Sequence, residues 1–334
     1  MAGLATPGAV ILIYHRVAEI PRDPQLLCVR RRHFGEQLEV LREHYHPMSL
    51  LELVGAVRDR KLPKRAVVVT FDDGYADNLV DARPLLADHG VCATVFVVGG
   101  DGGPAREFWW DELERLLLET ETLPRALRMT VGADAWHWQL GESAWYRPEQ
   151  SERDRGWNVQ QPDNPGPRQE MYRALHERLR TLPLPQRRKV MDSLQAWSGA
   201  ERVVRPTHRS LATDEIRELA DGGLVEIGAH TLTHPVLATL PTDAQQLEIE
   251  RNKAHLEQIL DRPVRSFSYP YGTRSDYSVE TVKLVRRGGF ACACANFAGV
   301  VRSDADSFEL PRVLVRDWDG DEFARRLRQA WGNG

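Results

Sequence analysis

Lysine is nearly missing from this chain: five occur in 334 residues, and arginine supplies the rest of the 44 basic side chains. Acidic residues number 48 and the formal charge is −4, so no overall positive field points to a nucleic-acid partner. Cysteine is sparse as well. Cys28, Cys92, Cys292 and Cys294 include no C-x-x-C pair, which excludes a disulfide scaffold or a zinc ribbon and reads as free thiols in a reducing compartment. Cys292 and Cys294 sit two apart on an apparent strand, so both face one side and belong to a core. Long apolar runs are also lacking. None approaches the ~18 residues of a membrane span, and Ala9-Val10-Ile11-Leu12-Ile13 is too short, and lacks the basic flank, for a signal peptide. The expectation is a cytoplasmic protein with no integral membrane segment. Hydrophobic residues at 42% and charged residues at 28% are the proportions of an ordinary globular chain.

Short β-branched runs alternate with helical periodicity, the pattern of βα units in a parallel sheet or barrel. Seven strands are expected at 10–14, 67–71, 93–98, 225–228, 264–268, 290–294 and 312–315. Phe34, Leu38, Leu41 and Tyr45 recur at helical spacing, and a helix beginning near Leu79 ends at His89-Gly90 with glycine past its last turn. Thr242 and Gln245 fit a capping box for a helix reaching Leu260. Gly288 and Gly289 close another helix, and Phe323, Leu327 and Ala330 mark a last one. The stretch 101–206 breaks the rhythm with Trp109, Trp110, Trp136, Trp138, Trp145 and Trp157, a proline-punctuated polar loop, and helical text from Arg168 to Trp197. It reads as a mostly helical, Trp-rich insertion, either a satellite with its own Trp/Leu core or a cap over substrate, flanked by 1–100 and 207–334.

Three blocks could carry chemistry. Thr70-Phe71-Asp72-Asp73-Gly74 follows an apolar run, placing two acids at a strand's carboxyl end, where α/β barrels build sites. Adjacent side chains diverge, so one can hold a metal while its neighbour faces water; the same pair would equally cap the next helix. His230-Thr231-Leu232-Thr233-His234 follows a second apolar strand. Histidines at i and i+4 share one face of a helical turn, and with a carboxylate they make an N,N,O set suited to Zn²⁺, although such spacing often arises by coincidence. Ser268-Tyr269-Pro270-Tyr271-Gly272 follows a third, a stiff turn whose backbone N–H could serve an oxyanion or simply link strand to helix.

In this order the blocks resemble the NodB-homology polysaccharide deacetylases of carbohydrate esterase family four, which read T-F-D-D-G, H-[ST]-x-x-H and R-x-P-[YF]. The resemblance covers 8–100 and 207–318 but not the insertion. It implies a distorted (β/α)7 barrel and a metal-dependent hydrolase that removes an N-acyl group, acetyl or formyl, from an amino sugar. By motif position Asp72 is the general base, Asp73, His230 and His234 are the metal ligands, and the Tyr271 N–H is the oxyanion donor. The metal implied is Zn²⁺, with Co²⁺, Ni²⁺ or Fe²⁺ as alternatives. The family's late histidine block is missing, but Tyr14-His15-Arg16-Val17 ends the first strand, similar to a permuted branch that includes biofilm poly-N-acetylglucosamine deacetylases; that resemblance implies His15 as the general acid, with a strand-end histidine satisfied by backbone as its plain alternative. Ser268 stands where the family has arginine; Arg312 is a candidate replacement, with a surface salt bridge as its plain alternative. The family's aspartate-tryptophan block is absent from Ala293 to Phe297. Without an export signal, a nucleotide-linked, lipid-linked or other small amino-sugar precursor is the expected substrate. The rival readings are a catalytically silent glycan-binding barrel and an amidohydrolase acting on a non-sugar amide.

Overall fold

The structure, a computed structural model, describes residues 8–100 and 106–332. They form two compact units: one takes the chain up to Glu19, from Leu27 to Gly102 and from Ser210 onward; the other takes Ile20–Leu26 and Gly103–Arg209. The start of the insertion near Asp101 lies outside the described residues. Nothing in the composition of 20–26 signals that it joins the insertion, because its partners, such as Tyr172 bonded by Gln25 at 2.9 Å, lie far along the chain.

The first unit is a parallel barrel. Its strands are β1 (Ala9–Tyr14), β2 (Ala66–Phe71), β3 (Ala93–Val97), β4 (Val225–Ala229), β5 (Ser266–Ser268), β6 (Cys292–Cys294) and β7 (Val313–Leu314). All seven lie within or overlap the expected segments, and a two-residue strand, His46–Pro47, adds to the edge of β2. β1 to β6 pair in chain order, each parallel to the next. The last segment closes the ring: Leu310 exchanges backbone hydrogen bonds with Ala293 and Ala295, and β7 pairs with β1, the Val315 N–H reaching the Ile13 carbonyl at 3.0 Å.

Strand residues divide by parity, as the two-residue period of a strand requires. Val10, Leu12, Tyr14, Val67, Val69 and Phe71 join one core with the covering helices, including Phe34, Leu38 and Leu41 of helix Arg31–His44. Ala9, Ile11, Ala66 and Val68 join a second core with Phe96, Cys292 and Cys294. Both thiols are buried and free. Asp72 shares the parity of Ala66 and Val68, so the strand itself turns its carboxylate towards the barrel axis.

Helix ends follow local chemistry. Helix Arg83–His89 stops at Gly90 with φ 63°, and helix Val279–Arg287 starts at a Ser278–Thr281 capping box. The expected box at Thr242 does not form. Helix Thr242–Leu260 begins one residue earlier in phase, with Pro241 at the cap, and Gln245 instead donates to the Leu240 carbonyl and accepts from Thr281.

The second unit is mostly helical, with one β element among its described residues. Alongside helices Pro167–Thr181 and Leu184–Ser198 it holds an antiparallel hairpin, Ala126–Val131 with Asp134–Gln139. Trp136 and Trp138 alternate on its second strand, and the Arg178 guanidinium lies 5.1 Å from each ring. Trp109, Trp110, Trp136 and Trp157 are buried, whereas Trp145 is 51% exposed. Most of the indoles thus build this unit's own core. Arg168, fully buried, donates to five backbone carbonyls, those of Leu117, Thr120, Glu121, Ser143 and Ala144, and so ties the 117–121 and 143–144 segments together.

Close packing inside the barrel yields a direct test. A Cβ on Gly228 of β4 would come within 2.3 Å of the Phe96 ring and 2.7 Å of the Ser266 hydroxyl. Gly228→Ala is expected to lower the unfolding free energy by about 1–3 kcal/mol, read from the urea midpoint; an unchanged midpoint would contradict this packing.

Candidate active site

The β1–β2 ladder extends one step past the strands, the Asp72 N–H donating to the Tyr14 carbonyl at 2.9 Å. The chain then turns sharply: Asp73 and Gly74 are both left-handed, at φ 73° and 77°. Gly74 has a second reason to be glycine, because a Cβ there would lie 3.1 Å from Val97. The turn sends the two adjacent carboxylates apart.

Asp72 faces an arginine that arrives from the other end of the chain. Arg312 Nη1 and Nη2 donate to its two oxygens at 2.8 and 2.7 Å, a two-pronged contact between buried groups. The same guanidinium donates to the Thr70 and Ser268 hydroxyls and the Ala295 carbonyl, and the Ser268 hydroxyl donates to Asp72 at 3.2 Å. A surface salt bridge is therefore excluded for Arg312. Ser268, flagged by sequence only as a departure from the motif, leaves the space that this second-hand arginine fills.

The histidine block is not a helical turn. Residues 230–236 form an irregular loop after β4, bent by left-handed Thr231 and His234 at φ 62° and 54°. The loop is pinned from helix Thr242–Leu260: Asn252 accepts from the His230 N–H at 2.9 Å, and Glu248 accepts from the Thr233 N–H and hydroxyl. His230 Nδ1 lies 2.8 Å from the Ser268 carbonyl oxygen. That oxygen can only accept, so Nδ1 carries the proton and the Nε2 lone pair faces the aspartates. Asn252 and Glu248 escaped the sequence reading, since a polar residue on a helix gives no sign of which loop it will hold.

Asp73, His230 and His234 each offer one donor atom, all within 4.8 Å of one another and all buried. Asp73 Oδ1 is 3.6 Å from His230 Nε2 and 3.4 Å from His234 Nε2. These gaps are long for hydrogen bonds and match the ~3.4 Å edge of a tetrahedron with Zn–ligand bonds of ~2.1 Å. Two imidazoles and one carboxylate, whose donor atoms lie this close together, fit a divalent cation such as zinc.

Tyr271, also left-handed at φ 59°, packs its ring on His234 at 4.7 Å between centroids, and Asn296 donates to its carbonyl. His15 follows β1, its carbonyl held by the Asn78 side chain at 2.9 Å. Thus the structure gathers His15, Asp72, Asp73, His230, His234, Tyr271 and Arg312 at one end of the barrel. Four of them or their loop neighbours (Asp73, Thr231, His234, Tyr271) hold strained backbone, which concentrates where geometry is over-determined.

Burial penalises the charge on Asp72, but the Arg312 guanidinium, then His230, outweigh it and hold the carboxyl well below the usual carboxylate range. Burial likewise opposes the charge on Asp73, and His230 and His234 overcome it, leaving this carboxyl depressed too. For His230 burial disfavours the cation, yet Asp72 and Asp73 raise its affinity for a proton. His15 goes the other way: burial lowers it, against the pull of Asp73 and Asp72.

Comparison with known proteins agrees with this arrangement. Residues 59–121 and 194–292 match the sequence profile described as polysaccharide deacetylase. Through these two segments the chain resembles the polysaccharide deacetylases. Over 108 residues it is 29% identical to YxkH of Bacillus subtilis (strain 168), and over 81 residues it is 38% identical to the poly-beta-1,6-N-acetyl-D-glucosamine N-deacetylase of Escherichia coli (strain K12). These matches cover 32% and 24% of this chain but only 37% and 12% of the relatives' own lengths. Among solved structures, the Streptococcus pyogenes deacetylase PplD is 18% identical with a TM-score of 0.59, covering 96% of this chain and 99% of that one. IcaB from Ammonifex degensii is 21% identical, also at 0.59, covering 97% of each chain. At such identities the likeness establishes the family's barrel fold.

Removing the arginine leaves Asp72 buried beside an uncompensated side. Arg312→Met is expected to cost about 3–5 kcal/mol of unfolding free energy, and Arg312→Lys to recover only part of it, since an ammonium cannot present two parallel donors. Urea denaturation at pH 7 measures both; a loss below about 1 kcal/mol in the Met variant would contradict a paired buried charge.

Proposed function

We propose that this chain, like the polysaccharide deacetylases it resembles, hydrolyses the N-acyl group of an amino sugar. The observation that carries this reading is the buried Asp73, His230 and His234 donor set directly beside Asp72, a carboxylate kept ionised and aimed by Arg312. Asp73, His230 and His234 would hold a divalent cation, zinc by donor chemistry, which when bound polarises the amide carbonyl and acidifies a water. Asp72 accepts the water's proton. Its basicity is low, and what Arg312 and Ser268 supply is orientation, since both oxygens are held in one plane. The Tyr271 N–H donates to the developing oxyanion, and the ring of Tyr271 on His234 fixes where that N–H lies relative to the donor set. His15 protonates the departing amine, without which the C–N bond cannot break productively.

The substrate in this reading is a nucleotide- or lipid-linked amino sugar met in the cytoplasm. The Escherichia coli relative is named for a polymer, so poly-N-acetylglucosamine is tested beside it. No helix among the described residues is long and apolar enough to cross a membrane.

Chelation is expected to abolish release of acetate or formate from N-acyl amino sugars, and Zn²⁺ or Co²⁺ to restore it. The His230→Ala/His234→Ala double variant should bind no stoichiometric metal and release no acid; persistent release would sink the metal mechanism. Release only from non-sugar amides across the same substrate panel would replace the amino-sugar reading.

His15→Ala should slow turnover by roughly 10²- to 10⁴-fold while bound metal per chain stays at the wild-type level. A near-normal rate would assign protonation of the amine to another group.

A further inference from the structure

The β1–β2 ladder ends at the Asp72–Tyr14 hydrogen bond, so backbone pairing between these strands does not itself set where His15 sits relative to Asp72 and Asp73. A different set of contacts does so. The loop that starts with the two aspartates runs through Gly74, Tyr75 and Ala76 to Asp77 and Asn78, and these last two residues grip 15, 16 and 17 in succession. Asn78 Nδ2 donates to the His15 carbonyl at 2.9 Å. Asp77 Oδ2 accepts from Arg16 Nε at 2.9 Å, and Asp77 Oδ1 accepts from the Val17 N–H at 3.2 Å. Asn78 Nδ2 also donates to Asp77 Oδ1 at 3.2 Å, tying the two grips together.

All three side chains are buried: Asp77 is 7% exposed, Asn78 1% and Arg16 1%. The Arg16 guanidinium also lies over the Tyr75 ring, 4.4 Å from its centroid, so the same loop holds it from two sides. Buried charges this far from the donor set are costly unless they fix geometry, and removing one partner strands the other. On its far side the 16–17 segment pairs with Cys28–Val29, a second anchor for the segment.

Resting on the deacetylase reading, we propose that Asp77 and Asn78 are positioning residues that couple the general acid to the base: they hold His15 in register with Asp72 and Asp73 through the loop that carries both. Neither touches the donor set. Their effect on the reaction passes through His15, so it is confined to protonation of the leaving amine and spares metal binding.

The test combines a double-mutant cycle with a measurement that needs no turnover. Asp77→Asn keeps an acceptor for the Val17 N–H but loses the charge facing Arg16; Asn78→Ala removes the His15 contact and the Asn78–Asp77 bond while leaving the Asp77–Arg16 pair, and serves if the first variant folds poorly. Each is expected to lower kcat about tenfold or more, with KM within about twofold and metal per chain unchanged. In a His15→Ala background the same substitution should change kcat by less than about twofold, because two residues acting through one group are not additive. Equal slowing in both backgrounds overturns the proposal, as does an unchanged kcat in both variants. In ¹³C-histidine NMR spectra of the metal-free protein, the His15 ring signal, identified by its loss in His15→Ala, should move in both variants while those of His230 and His234 stay. A stationary His15 signal overturns the proposal even if the wild-type protein releases no acid, the outcome that would instead refute the deacetylase reading.

Discussion

The two-pronged contact between Arg312 and Asp72 is the constraint around which the candidate site at one end of the barrel is arranged. One guanidinium binds β2 through Thr70 and Asp72, β5 through Ser268, and the carbonyl of Ala295 just beyond β6. Both charges are out of water, and a buried ion pair tolerates no drift: any displacement that opens it exposes an unsolvated charge. The segment from Leu310 to Val315 must therefore sit between β6 and β1, which is also where it closes the ring of strands. Closure of the fold and orientation of the candidate base are thus one event.

From that fixed point the remaining polar groups take their places by successive contacts. Ser268 bonds Asp72 through its hydroxyl and His230 through its carbonyl, so one residue sets both the carboxylate and the imidazole. Helix Thr242–Leu260 holds the histidine loop through Asn252 and Glu248, and Asn296 holds the Tyr271 turn. The left-handed residues in these loops carry local strain that such contacts offset. Electrostatically the site balances two ionised aspartates against Arg312 and polarisable imidazoles, which is why both carboxyls stay charged despite complete burial.

Much of this was legible in the chain. The seven strands announced themselves by β-branched runs, and Asp72-Asp73, His230/His234 and the Tyr271 turn each follow such a run within a few residues, so strand geometry alone delivers them to one end of a parallel barrel. Arg312 was nameable only as a candidate, because 240 residues separate it from Asp72 and no local pattern encodes that meeting. The helical turn expected at His230–His234 proved to be a strained loop, since i,i+4 spacing reports proximity without reporting the backbone that produces it. In the second unit the hairpin was hidden: Trp136 and Trp138 alternate as strand residues, but a tryptophan-rich text reads equally as helix or platform. With Trp109, Trp110, Trp136 and Trp157 buried, most of the insertion's indoles form a hydrophobic core.

What the sequence by itself determined is therefore the order of the barrel strands and which candidate residues follow them, because both rest on contacts within a strand and the turn that follows it. The tertiary structure alone decided which arginine faces Asp72, which nitrogen of His230 is left to accept, and how Asp77 and Asn78 tie His15 to the aspartates. Those outcomes depend on groups tens to hundreds of residues apart meeting in a water-excluded space, where only the assembled fold sets distance and dielectric, and those two quantities decide what the charges do.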